Sequence, residues 1–190
     1  MNEKQGLRKE PSHQLSQTLR RWRRVHHYLG LSIAILLLIS ALTGLLLGWK
    51  KEAAILQPPT QRGAAKSLDA WRPLHELEAL AAAALHQAQE GDFTVDRLDV
   101  RPSRGIAKVL FKPGYWEVQI DGATGEVRSI GRRYSDLIEQ IHDGSIVSEA
   151  FKLVSMNVLG IGVGVLILSG LWLWYGPRKL RRSKRHRRQG

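Results

Sequence analysis

Residues 28–49 read YLGLSIAILLLISALTGLLLGW, 22 residues without a charge. As a helix this stretch rises ~33 Å, enough to cross a ~30 Å hydrocarbon core. Residues 154–175, VSMNVLGIGVGVLILSGLWLWY, form a second uncharged run of 22 residues. A bilayer interior offers no water to backbone groups, so each run is expected to span as a helix. With 190 residues in all, the chain is too short to wrap two such helices in a soluble core.

Charge is distributed around these runs in three blocks. Residues 1–29 carry seven Lys or Arg and two Glu, and residues 176–190 carry eight Lys or Arg and no acid. Residues 50–153 carry 14 basic and 15 acidic side chains. The net charge of +12 therefore sits against the two apolar runs. That is the pattern of the positive-inside rule, and it explains the basic pI better than nucleic-acid binding does. Both termini are expected in the cytoplasm of a bacterial-type inner membrane, with the middle block outside. Lys50 and Lys51 oppose the rule from the translocated side. The first run is longer than a signal-peptide core and has no small-x-small cleavage site, so it reads as an uncleaved anchor.

The order expected is a basic N-terminus (1–27), a first span (28–49), a linker (50–65), a small domain (66–142), a junction (143–153), a second span (154–175) and a basic tail (176–190). Residues 1–19 read as polar and mobile. Pro58, Pro59 and Gly63 mark the linker as extended. Leu74, Leu77, Ala81, Leu85 and Ala88 recur at helical spacing over about 73–89, with Gly91 as the expected C′ residue. Period-two alternation follows: Leu98 and Val100; Ala107, Val109 and Phe111; then Trp116, Val118 and Ile120. A type II turn is expected at Lys112–Tyr115, a second turn at Asp121–Gly125 and a last short strand over 126–130. A helix packed on a three- or four-stranded antiparallel meander results, with Trp116 in its core and its carboxylates on solvated surface. Tyr134, Leu137, Ile138 and Ile141 predict a further short helix, Ser148 a cap for the next, and Pro177 its end.

Three stretches resemble the PepSY-associated transmembrane helix family. One is Arg23–Gly30, RRVHHYLG, with Leu42-Thr43-Gly44 later in the same run; one is Val118–Val127, VQIDGATGEV; the third is Ile141-His142-Asp143-Gly144 followed by Leu168–Trp174, LSGLWLW. The resemblance implies an α+β membrane protein, two transmembrane helices flanking a small extracytoplasmic PepSY-like domain. Longer members are similar to inner-membrane reductases carrying b-type haem. On that resemblance His26 and His142 fall at the helix-flanking histidine positions, and haem b is the implied cofactor. They sit at opposite ends of the expected spans, some ~30 Å of bilayer apart, so one chain would not bring both to one iron. The alternative for His26 and His27 is an interfacial anchor among arginines, and for His142 a polar residue at a helix–turn junction. His75 and His86 read as solvated.

Gly44-xxx-Gly48 and Gly160-xxx-Gly164 are small-xxx-small patterns suited to self-association or to another membrane protein. The polar Asn157 is expected to find a partner inside the assembly. The chain has no Cys, which excludes disulfides, thiolate metal sites and covalently attached c-type haem. No catalytic set, metal motif or nucleotide fingerprint stands out, and nucleic acid is not an expected partner. Three functions fit: a non-enzymatic membrane protein presenting a binding or regulatory domain; a haem-binding or electron-transfer accessory subunit complete only as an oligomer or with a partner; and a regulator of a secreted peptidase.

Overall fold

The computed structural model describes residues 11–186, with side chains over 16–178. Helix α1 spans Pro11–Gly48 and helix α4 spans Glu149–His186. Between them run α2 (Leu74–Ala88), β1 (Thr94–Arg101), β2 (Ile106–Lys112), β3 (Trp116–Asp121), β4 (Val127–Arg132) and α3 (Tyr134–Asp143). Contacts divide the chain into a helical unit, up to Ser40 and from Asp143 onward, and a second unit, Ala41–His142.

In the helical unit α1 and α4 pack through glycines. Gly162 lies under Ile33, whose Cδ1 would be 2.7 Å from an added Cβ, and Gly30 faces Leu166 at 3.6 Å. Gly176 faces Leu19 so closely that any side chain there would collide with it. Small residues let the two backbones approach where apolar bulk gains little over lipid. Leu19 belongs to a stretch expected to be mobile; residues 11–19 instead lie within α1. Residues 1–10 lie outside the described residues. Among the described residues, a Cβ added at Gly160, at Gly164 or, at the far end of α1, at Gly48 would meet nothing within 4 Å.

The segments Ser16–Gly48 and Glu149–Arg178 have mean hydropathies of 2.5 and 2.0 over their most apolar windows, which are only 6% and 11% buried. A helix inside a soluble core would be covered on all sides. Here Leu31, Ile35, Leu38, Ile161 and Leu168 are all exposed, as lipid-facing side chains are. With the four-stranded sheet below, the chain is an α+β membrane protein. Pro177 does not end the second helix; α4 continues through it to His186. Beside it the Arg178 guanidinium stacks on Trp174 at 3.6 Å and donates to the Trp174 carbonyl at 3.3 Å. Asn157 spends its amide on the Leu153 carbonyl of its own helix, 2.7 Å away. Ser148 caps α4 as expected, accepting from Phe151 N–H at 3.0 Å.

In the second unit the strands form one antiparallel sheet in the order β1-β2-β3-β4. Register pairs Val109 with Val118 and Ala107 with Ile120, so these residues share a face with Phe111. Leu77, Ala81 and Leu85 of α2 close that face, all fully buried. Burying each large aliphatic contributes about 1.5–3 kcal/mol. Trp116 is half-buried at the rim of this core, edge-on to Phe93 and under the Arg132 guanidinium at 4.7 Å. Helix α2 ends on extended Gln89, two residues before the glycine expected to cap it. The β2–β3 connection has a cis Lys112–Pro113 peptide and left-handed Gly114 and Tyr115, in place of a type II turn.

The opposite face is also covered. Lys108, Glu117, Gln119 and Asp121 are each at most 1% exposed. The stretch read as a linker lies over them as a strap. Gln61 N–H donates to Gln119 Oε1 (2.8 Å), Gln119 Nε2 to the Pro59 carbonyl (3.1 Å), and Ala64 N–H to Asp121 Oδ2 (2.8 Å). Glu117 and Asp121 are therefore not the solvated carboxylates expected. Alternation identifies the polar face, but not what covers it.

Candidate functional site

The two histidines singled out from the sequence each rest on a hydroxyl followed by a glycine. His26 Nδ1 lies 2.7 Å from Ser169 Oγ, and that hydroxyl donates to the Leu166 carbonyl at 3.1 Å. A hydroxyl has one proton, so while Ser169 donates to Leu166 it can only accept from His26, the tautomer with Nδ1–H on Ser169 and the lone pair on Nε2. Gly170 makes room for the ring: an added Cβ would meet His26 Cε1 at 3.6 Å. An apolar groove of about 360 Å³ runs alongside, lined by Trp22, Leu168, Ser169 and Trp172.

His142 lies in the last turn of α3 and is half-buried. Its Nδ1 lies 3.0 Å from Thr43 Oγ1, and Gly44 opens the space, since a Cβ there would come within 3.2 Å of His142 Cε1. Just beyond, Gly144 turns the chain at φ 83° and Asp143 accepts from Lys152 Nζ at 2.9 Å. Burial raises the Asp143 pKa, but the bonds from Lys152 and Ser145 outweigh it and hold the carboxyl below its ordinary value.

The buried face of the sheet carries a connected set of charges. Lys108 Nζ donates to Glu117 Oε1 at 3.0 Å, Gln119 Nε2 to the same oxygen at 2.8 Å, and Arg133 Nη1 to Glu117 Oε2 at 3.1 Å. Burial pushes the Arg133 guanidinium down, yet Asp136, Glu117 and Asp99 together keep it above its usual value. Asp121 organises the turn after β3: Oδ1 accepts from Ala123 and Thr124 N–H, and Oδ2 from Arg128 at 3.0 Å besides Ala64. Burial would raise its pKa; Arg128 and the three backbone donors more than reverse that. In the same turn Gly122 lies flat beneath the Trp71 ring, and Gly125 takes the left-handed φ of 76°.

These motifs decide the assignment, because a family model described as PepSY-associated TM region matches residues 23–190. The chain belongs to that family. No curated protein and no solved structure matches it. In this PepSY-associated chain the motifs that carried the resemblance meet in pairs. RRVHHYLG meets LSGLW through His26 and Ser169, and LTG meets IHDG through Thr43 and His142. The DGATGE stretch is the Asp121 turn. Thr43 and Ser169 escaped the sequence reading as partners, although both sit directly before a glycine in the quoted motifs.

Haem b with two histidine ligands needs two imidazole nitrogens facing one iron. The place at Ser169 and the place at Thr43 hold one such ring each. Among the described residues no three His, Cys, Asp or Glu gather in one place. Among the described residues, neither place shows the second imidazole that a two-histidine haem needs.

Proposed function

We propose that this PepSY-associated protein is an inner-membrane anchor that presents residues 41–142 outside the cytoplasm as a binding or regulatory domain. The observation that carries this reading is the use of the domain's buried titratable groups. Lys108 and Arg133 both pair with Glu117, and Asp121 holds Arg128 and the strap's Ala64 N–H. Their donors and acceptors are taken up by the fold itself, as in a structural polar network. The basic flanks of the two spans favour both termini inside. The absence of Cys gives a clean test. Glu90→Cys, in the exposed loop after α2, reacts with a membrane-impermeant maleimide in intact cells, whereas a cysteine appended after Gly190 reacts only after lysis. The reverse pattern refutes the orientation.

A second reading, an electron-transfer subunit completed by a second copy or another protein, is favoured by His26. Its Nδ1–H is held by Ser169, leaving Nε2 as the ligand-type nitrogen near an apolar groove with two tryptophans. The opposite ligand would come from outside the chain. On this reading, a low-spin visible spectrum is lost in His26→Ala and on dissociating the assembly.

A further inference from the structure

Lys50 and Lys51 run against the charge rule that the rest of the chain obeys, and the fold gives them a use. They line a cleft of about 390 Å³ with Arg101, Ser103, Arg104, Lys108 and strap residues 57–60. A smaller cleft of about 180 Å³ shares Ser103 and Arg104 and adds Arg62 and Lys66. Seven of the 14 cations in residues 50–153 thus line two clefts that share one wall, although the block as a whole holds 15 acids. Among the described residues, no carboxylate lines either cleft. Lys108 is committed to Glu117, and Lys50 reaches Glu139 only at 3.9 Å. Among the described residues, Lys51, Arg62, Lys66, Arg101 and Arg104 make no ion pair. An acid-free concavity of this kind focuses positive potential.

The cleft is also held in shape. Gly63 N–H donates to the Arg104 carbonyl at 2.8 Å, Gly105 N–H to the Pro102 carbonyl at 3.0 Å and Gly122 N–H to the Gly105 carbonyl at 3.0 Å. Gly63 and Gly105 approach so closely that neither tolerates a side chain. The backbone carrying Arg101 and Arg104 is therefore tied to both the strap and the sheet.

We propose that this cleft binds a phosphate-bearing anion. Two guanidiniums with planar donor forks, beside two lysines, suit the several oxygens and the charge of a phosphate better than a single carboxylate. Lys50 and Lys51 come just after α1 ends at Gly48, where an apolar span reaches headgroup depth, so on the proposed orientation an anionic headgroup of the outer leaflet is the nearest source. A soluble phosphate ester offers the same chemistry.

The test uses the full chain purified in neutral detergent. Native mass spectrometry after exchange from phosphatidylglycerol nanodiscs reads lipid retention, and titration of the delipidated protein with inorganic pyrophosphate reads the soluble arm. The comparison is Arg101→Gln/Arg104→Gln against Arg72→Gln/Lys112→Gln, which removes equal charge outside the clefts. A retained phosphatidylglycerol that weakens about tenfold or more in the first variant only establishes the headgroup. Pyrophosphate binding with the same variant dependence, and no lipid retention, establishes a soluble anion. Lys51→Gln/Arg104→Gln replaces the first variant if that variant melts early. No binding in either arm, or equal loss in cleft and control variants, overturns the proposal.

Discussion

The buried charge set predicts an asymmetry between two substitutions of one ion pair. The Lys108 side chain is 2% exposed and Glu117 is its one carboxylate partner among the described residues, whereas Glu117 is fully buried and also paired to Arg133 at 3.1 Å. Glu117→Gln leaves the Lys108 ammonium buried without a countercharge, a change that costs about 3–5 kcal/mol. Lys108→Met leaves Glu117 with Arg133 and Gln119, so the loss is that of one charged hydrogen bond, about 1.5–3 kcal/mol. The double variant Lys108→Met/Glu117→Gln removes both charges, and Arg133 keeps Asp99 and Asp136. It should cost about as much as Lys108→Met alone, well short of the sum of the singles. Against a margin of about 5–15 kcal/mol, Glu117→Gln takes the largest share and Lys108→Met the smaller one. Pulse proteolysis of the full chain in detergent across a urea series reads these differences. A Lys108→Met cost equal to or above that of Glu117→Gln, or singles that add to within about 0.5 kcal/mol, would refute the reasoning.

Gly122→Ala drives a methyl into the Trp71 ring and should cost about 1–3 kcal/mol, seen as a lower melting temperature; an unchanged melt places Trp71 elsewhere. Asp121 has a folded pKa below its unfolded value of 3.8, so its stabilisation is fully present above that pH and is lost as pH falls through the folded pKa. Asp121→Asn should lower stability at neutral pH and flatten the acid limb; an unaltered limb would show that the Arg128 pair contributes nothing.

The 3.6-residue recurrence of Leu77, Ala81 and Leu85 and the alternation of Val109, Phe111, Val118 and Ile120 were enough to read the helix, the meander and the inner face of the sheet. Those patterns report a buried apolar face directly. The polar face was misread because Lys108, Glu117, Gln119 and Asp121 alternate as solvated residues do. What buries them is residues 57–65, an extended segment whose backbone makes the contacts and whose side chains carry no period. The start of α1 and the passage of α4 through Pro177 were missed because local polarity and a proline speak for an ending, while Leu19 against Gly176 is a contact across the sequence. At the candidate site both histidines were legible as types. Their partners were not: Thr43 and His142 are 99 residues apart, and His26 and Ser169 are 143 apart.

The measurement that bears most directly on the account is the visible absorption spectrum of the full chain purified after haem-supplemented expression. A membrane-anchored domain whose buried charges serve its fold predicts no stoichiometric Soret band, and in His26→Ala only the small loss of melting temperature that goes with its bond to Ser169. A stoichiometric low-spin haem in a strictly monomeric chain, lost in both His26→Ala and His142→Ala, would contradict it.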